Sequence, residues 1–202
     1  GDPEFRRKKS DIKLYLQERC NRMLGRQFEV SKDIPIIAVR SRLDEQKGFD
    51  LIIESLNRWY FSRPVQFIII AWGSSPQADK YREALENLAD QRSNSIAFSK
   101  NRGDIPAPLH YAGSDFLLMP SIFEPCGLPQ MMVLRYGTIP IVRRTGGLAD
   151  VVQNFAPING EGNGFDFVVP DYIEMLKAID RALDVYQNKD LWQKLLRNAM
   201  EA

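Results

Sequence analysis

From about residue 34 onward, short apolar runs alternate with longer amphipathic ones. The runs IPIIAV (34–39), VQFIIIAW (65–72), SIAF (95–98), DFLLMP (115–120), IPIVR (139–143) and FDFVV (165–169) are predicted strands. Most are continuous rather than alternating, which is the pattern of strands covered on both faces, as in a parallel sheet. Between them the amphipathic stretches 49–60, 76–92, 107–113, 129–137 and 147–155 predict helices; a further helix precedes them at 10–24 and two follow at the end of the chain. Strict alternation of strand and helix predicts an α/β fold, a Rossmann-like open parallel sheet with helices on both faces and right-handed crossovers.

No internal repeat or low-complexity linker interrupts this rhythm. A chain of 202 residues, 44% hydrophobic, is enough for one well-buried domain. GDPEF at residues 1–5 reads as a cloning remnant, which leaves 6–202 as that domain. The 27 Lys and Arg nearly balance the 26 Asp and Glu, and no basic stripe is interleaved with aromatics, so no nucleic-acid partner is expected. The basic run RRKKSDIK near the start reads as a solvated end. Cys20 and Cys126 are far apart and His110 is the only histidine, so neither a metal set nor a disulfide framework is expected, and a reducing compartment fits. No apolar stretch is long enough for a membrane span.

In an open parallel sheet the ligand lies at the carboxyl ends of the strands, which directs attention to the segments leaving them. In VRSRLDEQKGFD (39–50), Arg42 and Lys47 occupy the turn between the first strand and its helix, and a phosphate is the natural guest of two cations beside a helix N-terminus. The same pair, taken alone, also reads as two surface charges. In PSIFEPCGLPQ (120–130), Pro129 can open a helix, and the backbone around Gly127 and Leu128 faces whatever its N-terminus receives. Glu124 lies just before that end, either for a ligand or as a cap. Cys126 reads as a small buried filler rather than a nucleophile, since His110 lies elsewhere in the chain. RRTGGLADVV (143–152) repeats the design, with Thr145, Gly146 and Gly147 before a helix, the two glycines letting backbone approach a ligand. Both loops are expected to face one crevice and hold a diphosphate with something attached. AWGSSPQ (71–77) has one glycine and no dinucleotide fingerprint.

Taken together, SRLDEQKGFDLI, HYAGSDFLLMPSIFEPCGLPQ and LRYGTIPIVRRTGGLADVV closely resemble the C-terminal, donor-binding half of bacterial and plant-type glycogen and starch synthases. The resemblance implies one half of a GT-B glycosyltransferase, a hexosyltransferase that moves glucose from ADP-glucose to the 4-OH of an α-1,4-glucan end with retention. It implies that Arg42 and Lys47 hold the diphosphate and neutralise the leaving nucleotide, and that Glu124 engages the transferred glucose. By the same resemblance Cys126 is its loop neighbour, Gly127 and Leu128 offer backbone to sugar and phosphate, and Thr145, Gly146 and Gly147 form the second loop. No cofactor or metal is implied beyond the donor, because the two cations do a metal's work. The glucan acceptor would be held through the N-terminal domain that this chain lacks, and the protein would be cytoplasmic in a bacterium or plastidial in a plant. Three positions depart from the family pattern. Pro129 stands where threonine is usual, Arg102 is the only candidate where an aromatic often stacks on the base, and Met132 replaces a common tyrosine. A UDP-glucose-dependent relative and a degenerate domain kept for glucan or protein interaction are the alternative readings.

Overall fold

The computed structural model describes residues 3–58 and 63–202. Each predicted strand is present: β1 (Ile36–Arg42), β2 (Gln66–Trp72), β3 (Ile96–Ser99), β4 (Phe116–Met119), β5 (Ile139–Arg143) and β6 (Phe165–Phe167). All pair in parallel, in the order β3-β2-β1-β4-β5-β6. The continuous apolar runs follow from this arrangement. Ile37 and Val39 of β1 enter one core with Phe67, Ile69, Phe116 and Ile141, whereas Ile36 and Ala38 enter smaller clusters on the other face.

The crossing helices are α2 (Phe49–Arg58), α3 (Pro76–Gln91), α4 (Ala107–Gly113), α5 (Pro129–Arg135) and α6 (Gly146–Val151), preceded by α1 (Pro3–Leu24) and followed by α7 (Tyr172–Gln187) and α8 (Lys189–Glu201). Their starts are written in the sequence. Ser75, Asp171 and Asn188 each accept backbone N–H groups at the first turns of α3, α7 and α8, and Pro76 and Pro129 take the first helical position, where no N–H is needed. Two boundaries differ most from expectation. α1 starts at Pro3, inside the segment set aside as a remnant, and α6 stops at Val151, because the chain then turns back so that Gln153 N–H reaches the Asn163 side chain at 2.8 Å. Positions 59 and 60 of the predicted second helix lie outside the described residues.

The strand order reverses between β1 and β4, and pairing there is thin: two register pairs, Ile37↔Phe116 and Ala38↔Leu117, against seven between β1 and β2. At the amino ends of these strands the seam is closed by a buried charge pair. Lys13 Nζ of α1 lies 2.7 Å from Asp115 Oδ2, which also accepts the Ile36 N–H at 2.8 Å. At the carboxyl ends lies the crevice that the reversal of strand order predicts.

Candidate functional site

The crevice holds a cavity of about 320 Å³ walled by Arg40, Arg42, Lys47, Trp72, Glu124 and Pro129, among others. Two loops from either side of the seam meet here. Gly48 permits the approach: at φ +69° it carries no Cβ, and one built there would lie 2.3 Å from Pro120 O. The turn is then sewn to the β4 loop, with Ile122 N–H donating to Gln46 O and Gln46 Nε2 to Phe123 O, both at 2.8 Å. Arg143 supports the same loop from β5, donating to Ser121 O at 2.7 Å and to Ile122 O.

Lys47 Nζ reaches Glu124 Oε2 at 2.5 Å, and Ser121 Oγ donates to the same oxygen at 3.2 Å. The side chains of Lys47 and Glu124 are 18% and 12% exposed, so this cation and this acid meet in a mostly desolvated place. Arg42 lies on the same wall but does not converge on Lys47. Its side chain is 65% exposed and leans to Asp44 at 3.4 Å, and a short 3-10 turn at Glu45–Lys47 separates it from the start of α2. The expectation of two cations gathered at a helix N-terminus is corrected accordingly: one is paired to the acid and the other waits at the rim.

A third cation went unread in the sequence. Arg40 donates to Ile105 O at 2.9 Å and Arg102 O at 3.3 Å; burial lowers its pKa, Tyr111 opposes that shift and Arg102 reinforces it. It sits 6.0 Å from the Trp72 ring, which Arg102 approaches to 4.5 Å. The signal was available, since residues two apart in a strand share a face and Arg40 precedes Arg42 by two.

The second glycine loop has a different use from the one expected. A Cβ on Gly146 would lie 2.1 Å from Glu124 O, and one on Gly147 would lie 2.2 Å from Cys126 O. Gly147 N–H donates to Glu124 O at 3.0 Å. The glycines seat the Glu124 loop, and Thr145, Gly146 and Gly147 do not line this cavity, nor do Cys126, Gly127 and Leu128. Cys126 is exposed, not a buried filler, and Leu128 is 63% exposed. His110 is fully buried with Nε2 3.1 Å from Ile68 O, and desolvation, aided by Arg40, lowers its pKa to about 3. Cys20 is also buried, which pushes its thiol up to about 12.

A larger hollow of about 600 Å³, near the amino ends of β2 and β3, includes Gln27, Arg63 and Asn94 in its wall. Arg63, the one cation lining it among the described residues, is already committed to the exposed Asp184 at 2.8 Å, so the chemistry favours the smaller cavity. Among the described residues no cluster of three or more His, Cys, Asp or Glu side chains is placed to hold a metal ion, and no helix is long and apolar enough to cross a membrane.

The profile of the family described as "Glycosyl transferases group 1" matches residues 24–199. The glycogen synthase of Kosmotoga olearia is 44% identical over 168 residues, covering 83% of this chain and 34% of its own length. That of Alkaliphilus metalliredigens is 40% identical over 194 residues, 96% of this chain and 38% of its own. The catalytic domain of starch synthase IV from Arabidopsis thaliana, solved bound to ADP and acarbose, superposes with a TM-score of 0.80 at 30% identity, covering 96% of this chain and 39% of that one. A glycosyltransferase from Rickettsia africae, at 22% identity and a TM-score of 0.70 over 93% of this chain and 46% of that one, shares the fold. The chain thus spans about two fifths or less of the length of the curated relatives it matches here.

Proposed function

Since the chain belongs to the glycosyl transferases group 1 family, we propose that it is the donor-binding half of a glycogen or starch synthase, taking ADP-glucose and passing glucose with retention to the non-reducing end of an α-1,4-glucan. The observation that carries this reading is the meeting of Lys47 and Glu124 across the switch point, with Arg40 and Arg42 on the same cavity wall. The cations suit a diphosphate, and the acid suits sugar hydroxyls.

An order of events follows from this geometry. Lys47 and Glu124 neutralise each other while the cavity is open. An arriving diphosphate competes for the ammonium, Arg42 swings from Asp44 onto phosphate oxygens, and the Glu124 carboxylate turns to the glucose. When the bond from C1 to the diphosphate breaks, the negative charge grows on the leaving ADP, where Lys47 and Arg42 stabilise it without a metal. The acceptor 4-OH would come from a further domain of the longer protein, in a bacterial cytoplasm or a plastid.

Calorimetric titration of this chain with ADP tests the reading. A hydrogen bond to a charged group contributes about 1.5–3 kcal/mol, so Arg42→Ala is expected to weaken ADP binding about tenfold or more. Equal affinity in the variant would remove Arg42 from the site. Preference for UDP over ADP would favour a UDP-glucose enzyme, and no nucleotide binding by the folded chain would favour a non-catalytic domain.

A further inference from the structure

Gln130, second residue of α5, is completely buried, yet nothing in the helix requires an amide there. Its Nε2 donates to two carbonyls on different loops, Cys126 O at 3.3 Å and Gly147 O at 3.4 Å. Its Oε1 is buried without a partner. Gly127, at φ +60°, leaves room for this amide: a Cβ built there would lie 2.6 Å from Oε1 and 2.7 Å from Nε2. Gly147 is thereby gripped on both sides, its N–H donating to Glu124 O and its C=O accepting from the Gln130 amide.

Two long hydrogen bonds gained against one buried acceptor left unpaired come close to cancelling in stability. What the amide does provide is geometry, because it joins the loop that carries Glu124 to the loop on which Glu124 rests. We propose that Gln130 is a positioning residue for the donor site, a clamp that locks the 120–128 loop to the first turn of α6 and so fixes the Glu124 carboxylate at the cavity wall. Its benefit to donor binding rests on the function proposed above; the clamp itself does not.

Two variants test it. Gln130→Met keeps the length of the side chain and removes its polar atoms; Gln130→Glu keeps the shape and, when ionised, removes the donor. In the Met variant the melting temperature is expected to hold, while amide-exchange protection at Gly147 falls about tenfold, the loss of roughly one hydrogen bond, and ADP-glucose affinity falls about three- to tenfold with it, ADP affinity less. In the Glu variant the carboxylate faces two carbonyl oxygens at pH 8, but its protonated form can donate to one of them. Protection at Gly147 and ADP-glucose affinity should therefore both recover as pH falls from 8 to 6, relative to the wild type. Unchanged protection in both variants overturns the clamp whether or not the chain binds ADP. Unfolding of the Met variant overturns it too, since it would make Gln130 a stability residue. Loosened loops with unchanged ADP-glucose affinity overturn the link to the site. If the wild type fails to bind ADP, the functional reading falls while exchange at Gly147 still decides the clamp.

Discussion

Glu124 has one carboxylate oxygen committed to both Lys47 Nζ and Ser121 Oγ. In the proposed reaction its partner is the sugar, so in the longer protein Glu124→Ala is expected to lower kcat by about 10²- to 10³-fold, the usual effect of losing one preorganised electrostatic contact. ADP affinity should change far less. Steady-state kinetics beside ADP titration separates the two, and unchanged turnover would make Glu124 a structural partner of Lys47. His110 illustrates the opposite case, a titratable group with no part in the site. Its pKa of about 3 in the fold is below the usual 6.5, so as pH falls under 6.5 the unfolded chain takes up a proton that the native state refuses. Stability from this source is intact above 6.5 and is lost progressively toward pH 3, about 2 kcal/mol by pH 5. Urea midpoints at pH 7 and pH 5 check this: His110→Gln should lose less stability between the two pH values than the wild type, and parallel losses would contradict the assignment.

At the scale of elements, α1 is held by its polar side chains as much as by Leu16 and Cys20. Lys13 Nζ meets Asp115, Lys32 O and Tyr186 OH, and Gln17 pairs with Gln66. Removing one member of the Lys13–Asp115 pair leaves an unbalanced buried charge and an unpaired Ile36 N–H, so Asp115→Ala should cost about 3–5 kcal/mol and lower Tm by about 10 °C, measurable by calorimetry. A shift of a degree or two would show that solvent reaches Lys13. These polar anchors also mark the limit of what the sequence discloses. Apolar period and turn residues located every strand and the glycine loops, because burial on both faces and helix starts leave local signatures. The partner of a glycine does not. Gly146 and Gly147 read as openings for a ligand; that they seat Glu124 and Cys126, about 20 residues earlier in the chain, follows only once the paired strands β4 and β5 bring the two together. Arg42 and Lys47 were legible as cations of one turn; that Lys47 turns to Glu124 while Arg42 turns away depends on the contact of Gly48 with Pro120 across the seam.

For the whole molecule, the crevice among the described residues is built from the loops of a single sheet. Positioning both reactants can supply about 7–11 kcal/mol of barrier lowering, so this chain, which spans at most about two fifths of the curated relatives it matches here, is expected to bind ADP but transfer no glucose. Incubation with labelled ADP-glucose and glycogen should give background incorporation, and robust elongation would place the acceptor site on this chain. The thin pairing of β1 with β4 has a mechanical meaning. Two register pairs there bear what seven bear on the other side of β1, so under tension across the sheet the molecule gives way at its middle rather than at an edge. The contacts from Lys13 to Asp115 at one end of that line and from Lys47 to Glu124 at the other act as rivets. A diphosphate bound between the same two loops would add a third, and the force needed to part the halves would then register whether the crevice is occupied.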